Sequence, residues 1–136
     1  MSAQTPRFAV VLATGELERL YSGLSLLVST AAEGIPCAGL AVFRSLALLL
    51  DEGLLQRALE PSSTPSLSWA GRETFARSLV ELRETALELE GVALYACSAS
   101  VETMGLGAAE VESRLDGIRS TPRFLRDVAD GRLVYV

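Results

Sequence analysis

The sequence predicts one α/β domain over residues 1–136, a mostly parallel sheet of five strands with helices on both faces. Three observations predict it. Apolar runs of strand length alternate with amphipathic stretches in the order β-α-β-α-α-β-α-β-α-β, the pattern of crossover units. The strand candidates are continuous apolar runs rather than alternating ones, so both of their faces are covered. The chain is 136 residues long, 49% apolar and 21% charged, which fits one compact domain and excludes a disordered chain.

Each element follows from local pattern. Residues 8–12 (Phe8, Ala9, Val10, Val11, Leu12) form the first apolar run, closed by Ala13, Thr14 and Gly15. Residues 16–33 carry Leu17, Leu20, Tyr21, Leu24, Leu27, Val28 and Ala31 at helical spacing, with Glu16 and Glu18 in the first turn and Gly34 as a stop. Residues 37–43 are the second strand, and 45–59 one or two short helices with a break at Gly53. Residues 60–71 hold Pro61, Pro65 and several serines and read as a long loop, of the kind that serves as a lid, an oligomer contact or a mobile segment. Residues 72–90 form a helix with Phe75, Leu79, Leu82, Ala86 and Leu89 on one face. Strand 92–96 follows, then a helix over 101–115 interrupted near Gly105-Leu106-Gly107. Residues 117–119 are a short strand, 122–129 a short helix opened by Pro122, and 132–136 the closing strand.

Composition excludes several functions. The formal charge is -5, and all 12 basic residues are arginines spread along the chain, so there is no basic stripe for nucleic acid. The longest apolar stretch, 35–50, is broken by Arg44 and falls short of the ~20 residues that span a bilayer. Residues 1–7 lack the basic-then-apolar order of a signal peptide, so a cytoplasmic location is expected. The two cysteines, Cys37 and Cys97, are far apart and expected to be free thiols. With no histidine there is no set of zinc ligands, and no cofactor is expected.

Right-handed crossovers place every strand-to-helix turn on one edge of the sheet, where ligands and chemistry collect in open α/β folds. The residues at that edge are Thr14, Gly15, Arg44, Ser45, Cys97, Ser98, Ser100 and the pair Ser120 and Thr121. Cys97 stands where strand 92–96 gives way to a helix, and a helix N-terminus favours a thiolate. Ser98 and Ser100 are both placed to cap that helix or to donate hydrogen bonds to the sulfur. Cys37 begins its strand and belongs at the opposite edge. The plain reading of either cysteine is a small buried hydrophobe, and Thr14-Gly15 can serve only as a tight turn.

Three stretches carry a resemblance to a known family. They are Ala9-Val10-Val11-Leu12-Ala13-Thr14-Gly15-Glu16-Leu17-Glu18-Arg19-Leu20-Tyr21, then Ala41-Val42-Phe43 with Ser45-Leu46-Ala47-Leu48-Leu49-Leu50, and above all Tyr95-Ala96-Cys97-Ser98-Ala99-Ser100-Val101-Glu102-Thr103-Met104-Gly105. Together with the ending Thr121-Pro122-Arg123-Phe124-Leu125 and Leu133-Val134-Tyr135-Val136, they resemble the DsrE/DsrF-like sulfur-relay proteins, including the Tus-type carriers, nearly end to end. The resemblance implies a flavodoxin-like three-layer α/β/α fold and a homo-oligomer, trimer or hexamer. It implies a cysteine, here Cys97, that carries sulfur as a persulfide. It also implies protein partners that donate and accept that sulfur, of rhodanese or small thiol-carrier type. From their place at the same sheet edge, Thr14, Gly15, Arg44, Ser98 and Ser100 are the expected substrate- or partner-binding residues. The chain has no C-x-x-C pair, so an internal disulfide cycle is disfavoured. A non-catalytic oligomeric module using the same edge for a small molecule or partner protein is the alternative. The short turn after the first strand, lacking a long phosphate cradle, argues against a flavin.

Overall fold

The computed structural model describes residues 5–136. The strands are β1 (Phe8–Leu12), β2 (Cys37–Ala41), β3 (Val92–Cys97), β4 (Gly117–Arg119) and β5 (Arg132–Tyr135). The helices are α1 (Leu17–Ala32), α2 (Phe43–Leu50), α3 (Leu54–Leu59), α4 (Trp69–Glu88), α5 (Ser98–Thr103), α6 (Ala108–Arg114) and α7 (Thr121–Asp127). All strand pairs are parallel, in the order β4-β3-β2-β1-β5. The fold is the expected three-layer α/β/α architecture.

The chain walks from β1 to β4 in one direction and then returns across the sheet to place β5 beside β1. Right-handed crossovers therefore put α1 to α6 on one face and α7 alone on the other. Burial agrees. Val10, Leu12, Ala41, Leu94 and Ala96 pack with the leucines of α1, α2, α3 and α4 in the main core. Ala9, Ala38, Leu40 and Cys97 point to the other face, where Phe124 and Val128 cover them. In this parallel sheet, residues in register share a face, so Leu133 and Tyr135 of β5 lie with Ala9 and Val11. α7 is too short to cover that row, and Leu133, Tyr135 and Leu125 stay exposed. Beside α7 a groove of about 990 Å³ runs past Ala93, Tyr95, Arg119 and Val128.

Several expected boundaries moved for physical reasons. The second strand ends at Ala41 rather than Phe43, because Phe43 adopts φ +44° and starts α2 at once. This left-handed conformation costs a non-glycine residue on the order of 1–3 kcal/mol. The helix expected from residue 101 begins at Ser98, and the interruption expected near Gly105-Leu106-Gly107 is present, with Gly105 at φ +67° between α5 and α6. The 60–71 segment is tied down rather than loose. Pro61–Ser63 forms a 3-10 turn, and Arg72, itself buried, donates from Nε to Thr64 Oγ1 and from Nη2 to the carbonyls of Thr64 and Leu67. Trp69 opens α4 and is exposed.

Arg83 of α4 makes a second buried arginine anchor. It donates from Nη1 to the carbonyls of Leu48 and Asp51, satisfying the frayed end of α2, and from Nε to Glu84. Replacing Arg83 with Met should remove the charged donor from those carbonyls, leaving them only the 3.3 Å bonds from the Asp51 and Leu54 N–H groups, and lower the unfolding free energy by about 2 kcal/mol. Urea denaturation of Arg83→Met against the wild type measures it, and a loss below about 0.5 kcal/mol would show that the anchor is dispensable.

Candidate functional site

The carboxyl edge of the sheet carries two adjoining sites. The first is the sulfur of Cys97. It is the last residue of β3 and the N-cap position of α5, and only 4% exposed. Its thiol is held below the ordinary value. Burial opposes ionisation most, but it is outweighed together by the backbone N–H and hydroxyl of Ser100, the hydroxyl of Thr121 and the backbone N–H of Ala99. Thr121 Oγ1 lies 3.9 Å from Sγ, at the start of α7. The Ser100 hydroxyl oxygen accepts the Phe43 N–H at 2.9 Å, which fixes it in place and leaves its proton for the sulfur.

Two expectations about this segment change. No side chain caps α5; the cap position is Cys97 itself. Ser98 is not among the groups that favour the thiolate, whereas Ser100 is. Thr121, which the sequence places on this edge, is a direct neighbour of the sulfur. Ser120 instead caps α7, its hydroxyl accepting the Arg123 N–H.

The second site is a cavity of about 430 Å³ formed by the turn after β1, the start of α1, Arg44 of α2 and Tyr135 of β5. It brings Thr14, Gly15 and Arg44 together as expected, and adds Glu16, Arg19 and Tyr135; Cys97 is outside it. A serine pins the turn. The Thr14 N–H donates to Ser45 Oγ at 2.8 Å, and that hydroxyl donates to the Thr14 carbonyl at 2.6 Å. Gly15 is there for room rather than for a positive φ: a Cβ on it would sit 2.6 Å from Arg44 Cδ. The absence of a side chain lets Arg44 lie across the turn. Tyr135 could be found only from strand order, since β5 reaches β1 by crossing back over the sheet.

Cys37 behaves oppositely. It starts β2 at the amino edge, packs in the main core and donates its S–H to the Leu27 carbonyl at 3.2 Å. Burial pushes its thiol up to about 11. Both cysteines are free, on opposite edges and opposite faces. Among the described residues no group of three or more His, Cys, Asp or Glu side chains could hold a metal, and no helix is long and apolar enough to cross a membrane.

Two predictions follow from these surroundings. Thr121→Val and Ser100→Ala each remove a hydroxyl that favours the Cys97 thiolate, so the pH midpoint of iodoacetamide alkylation at Cys97 should rise in both. An unchanged midpoint in both would remove the hydroxyls from the site. For Cys37 the folded value lies above the unfolded value of 9.0, so its contribution to stability is whole below pH 9 and is lost as pH rises toward 11. Cys97 has the opposite sign: its contribution is present above the unfolded value and is lost as pH falls through the folded one. Between pH 9 and 11 the wild type should therefore lose up to about 2 kcal/mol more unfolding free energy than Cys37→Ala, as read by denaturant titration. Parallel losses would contradict the assignment.

Compared with family models and with curated protein sequences, the chain matches none.

Proposed function

We propose that this protein is a sulfur relay that accepts and passes persulfide sulfur on Cys97. The observation that carries the reading is the contrast between two buried thiols of one chain. Cys37 is pushed up to about 11, while Cys97 is drawn below the ordinary value by Ser100, Thr121 and Ala99. A thiol without a task gains nothing from donors converging on its sulfur, whereas a nucleophilic thiol needs them. The resemblance of the segment from Tyr95 to Gly105 to the DsrE/DsrF-like proteins supports the same residue.

In the proposed step the Cys97 thiolate attacks the outer sulfur of a donor persulfide, R–S–SH. The lone pair of Sγ forms the new S–S bond. The old S–S bond breaks, and its electron pair leaves on the donor as R–S⁻. The proton stays with the transferred sulfur, and nothing is oxidised or reduced overall. The reverse exchange with an acceptor thiolate unloads the carrier. Histidine is not needed, since thiol exchange requires only a thiolate and a leaving thiolate. Cys97 is 4% exposed and lies between the start of α5 and Thr121 at the start of α7.

The donor and acceptor in this reading are proteins bearing reactive thiols, and the carrier is a homo-oligomer. The thinly covered sheet face, with Leu133, Tyr135 and Leu125 open, supports self-association. The separate cavity at Thr14 and Arg44, which does not contain Cys97, favours the second reading of a non-catalytic binding module.

Incubating the intact protein with a low-molecular-weight persulfide and trapping with an alkylating agent should add one sulfur, 32 Da, to the peptide that contains Cys97. The gain should vanish in Cys97→Ser. No gain, or gain confined to Cys37, would defeat the relay and leave the binding module.

A further inference from the structure

We propose that the cavity between β1, β5 and α2 is a binding site for a small tetrahedral oxyanion, held by Arg19, Arg44 and the N–H groups that open α1. The proposal does not depend on the role of Cys97.

Four observations converge. The first is place. β1 lies between β2 and β5; the chain leaves β1 toward one face, and it arrives at β5 by way of α7 on the other. The cavity sits outside the carboxyl ends of those two strands, at the reversal of strand order, where open α/β sheets form their ligand crevice. The second is charge. Arg19 and Arg44 line the cavity, and among the described residues neither has an ion-pair or hydrogen-bond partner. Two unpartnered guanidinium groups facing one hollow in a chain of net charge -5 match a ligand that brings its own negative charge.

The third is the start of α1. This helix of 16 residues has no side-chain cap, and its first internal bond to Glu16 is made by the Leu20 N–H. The N–H groups of Leu17, Glu18 and Arg19 have no acceptor earlier in the helix. The fourth is the fixed turn. The Ser45 clasp holds Thr14, whose Oγ1 already accepts the Glu16 N–H at 2.9 Å and so has its proton left to donate. Gly15 leaves room for the exposed Arg44 side chain to lie against the turn.

Size sets the ligand class. A hollow of about 430 Å³ lies within the range of small-molecule pockets and admits an inorganic oxyanion or the terminal phosphate or sulfonate of a small molecule. Glu16 is the one acidic side chain on the wall, which Val136 also lines. It opposes the anion and holds affinity down.

The test is calorimetric titration of the intact chain, in a low-salt buffer with an organic base, using sodium phosphate, sodium sulfate and sodium thiosulfate. One saturable site with Kd of about 1 mM or tighter is expected for at least one of them. Arg19→Ala and Arg44→Ala should each weaken it by about tenfold. Glu16→Gln should tighten it, an effect that a merely structural role for Glu16 would not produce. Preference for thiosulfate assigns a sulfur oxyanion as ligand, and preference for phosphate assigns a phosphorylated one. No saturable binding of any of the three, or equal binding by a folded Arg19→Ala/Arg44→Ala double variant, would overturn the proposal. Both arginines are exposed and unpartnered, so the variants should melt as the wild type does without anion. The titration reads binding and not sulfur transfer, so its failure and that of the relay are separate results.

Discussion

Two buried hydroxyls, Ser45 and Ser100, hold the working edge of this sheet together. Parallel strands all end on one side, so the turns after β1, β2 and β3 crowd together there with backbone groups that no strand can pair. Ser45 clasps the turn after β1 from α2, bonding both the N–H and the carbonyl of Thr14. Ser100 takes up the Phe43 N–H where β2 turns into α2, and offers its proton to the sulfur at the end of β3. Both are fully buried, where an unpaired hydroxyl is costly. Their partners are therefore fixed, and with them the cavity on one side and the thiol on the other.

The two cysteines give a comparison within one molecule. Each is packed in a core cluster and each loses solvation, which disfavours the thiolate. At Cys37 the thiol donates toward the carbonyl oxygens of Leu27 and Gly91, and the one group that favours the anion, the Ala31 backbone N–H, is outweighed by burial. At Cys97 the neighbours are donors, two hydroxyls and two N–H groups at a strand end. The same residue type is therefore inert at one end of the sheet and poised for exchange at the other. The helices are the cause: α5 begins where β3 ends and brings the N–H groups of its first turn to Cys97, whereas Cys37 lies against a carbonyl of α1.

Much of the fold was legible in the sequence because parallel strands buried on both faces read as unbroken apolar runs. β1 and α1 could be read from Phe8-Ala9-Val10-Val11-Leu12 and the leucine spacing that follows. Cys97, Thr14, Gly15 and Arg44 could be placed on one edge because parallel strands all end on the same side of the sheet. Strand order was not legible, since nothing local records that β5 returns to β1. That concealed the role of Tyr135, the grouping of Arg19 with Arg44, and the separation of the cavity from Cys97. Phe43 was misread as strand because an aromatic residue at positive φ has no sequence signature. The choice of Ser100 over Ser98 was hidden too: the two differ only in which points back to the sulfur once α5 has formed.

The measurement that bears most directly on this picture is a pH titration of the Cys97 thiolate by its absorbance near 240 nm, in a Cys37→Ala background so that only one thiol reports. The expected midpoint lies below the ordinary thiol value of 9.0, despite the burial of the sulfur. A midpoint at or above that value would mean that burial outweighs the donors around Cys97. The sulfur would then be a core residue, and the case for a relay would be gone.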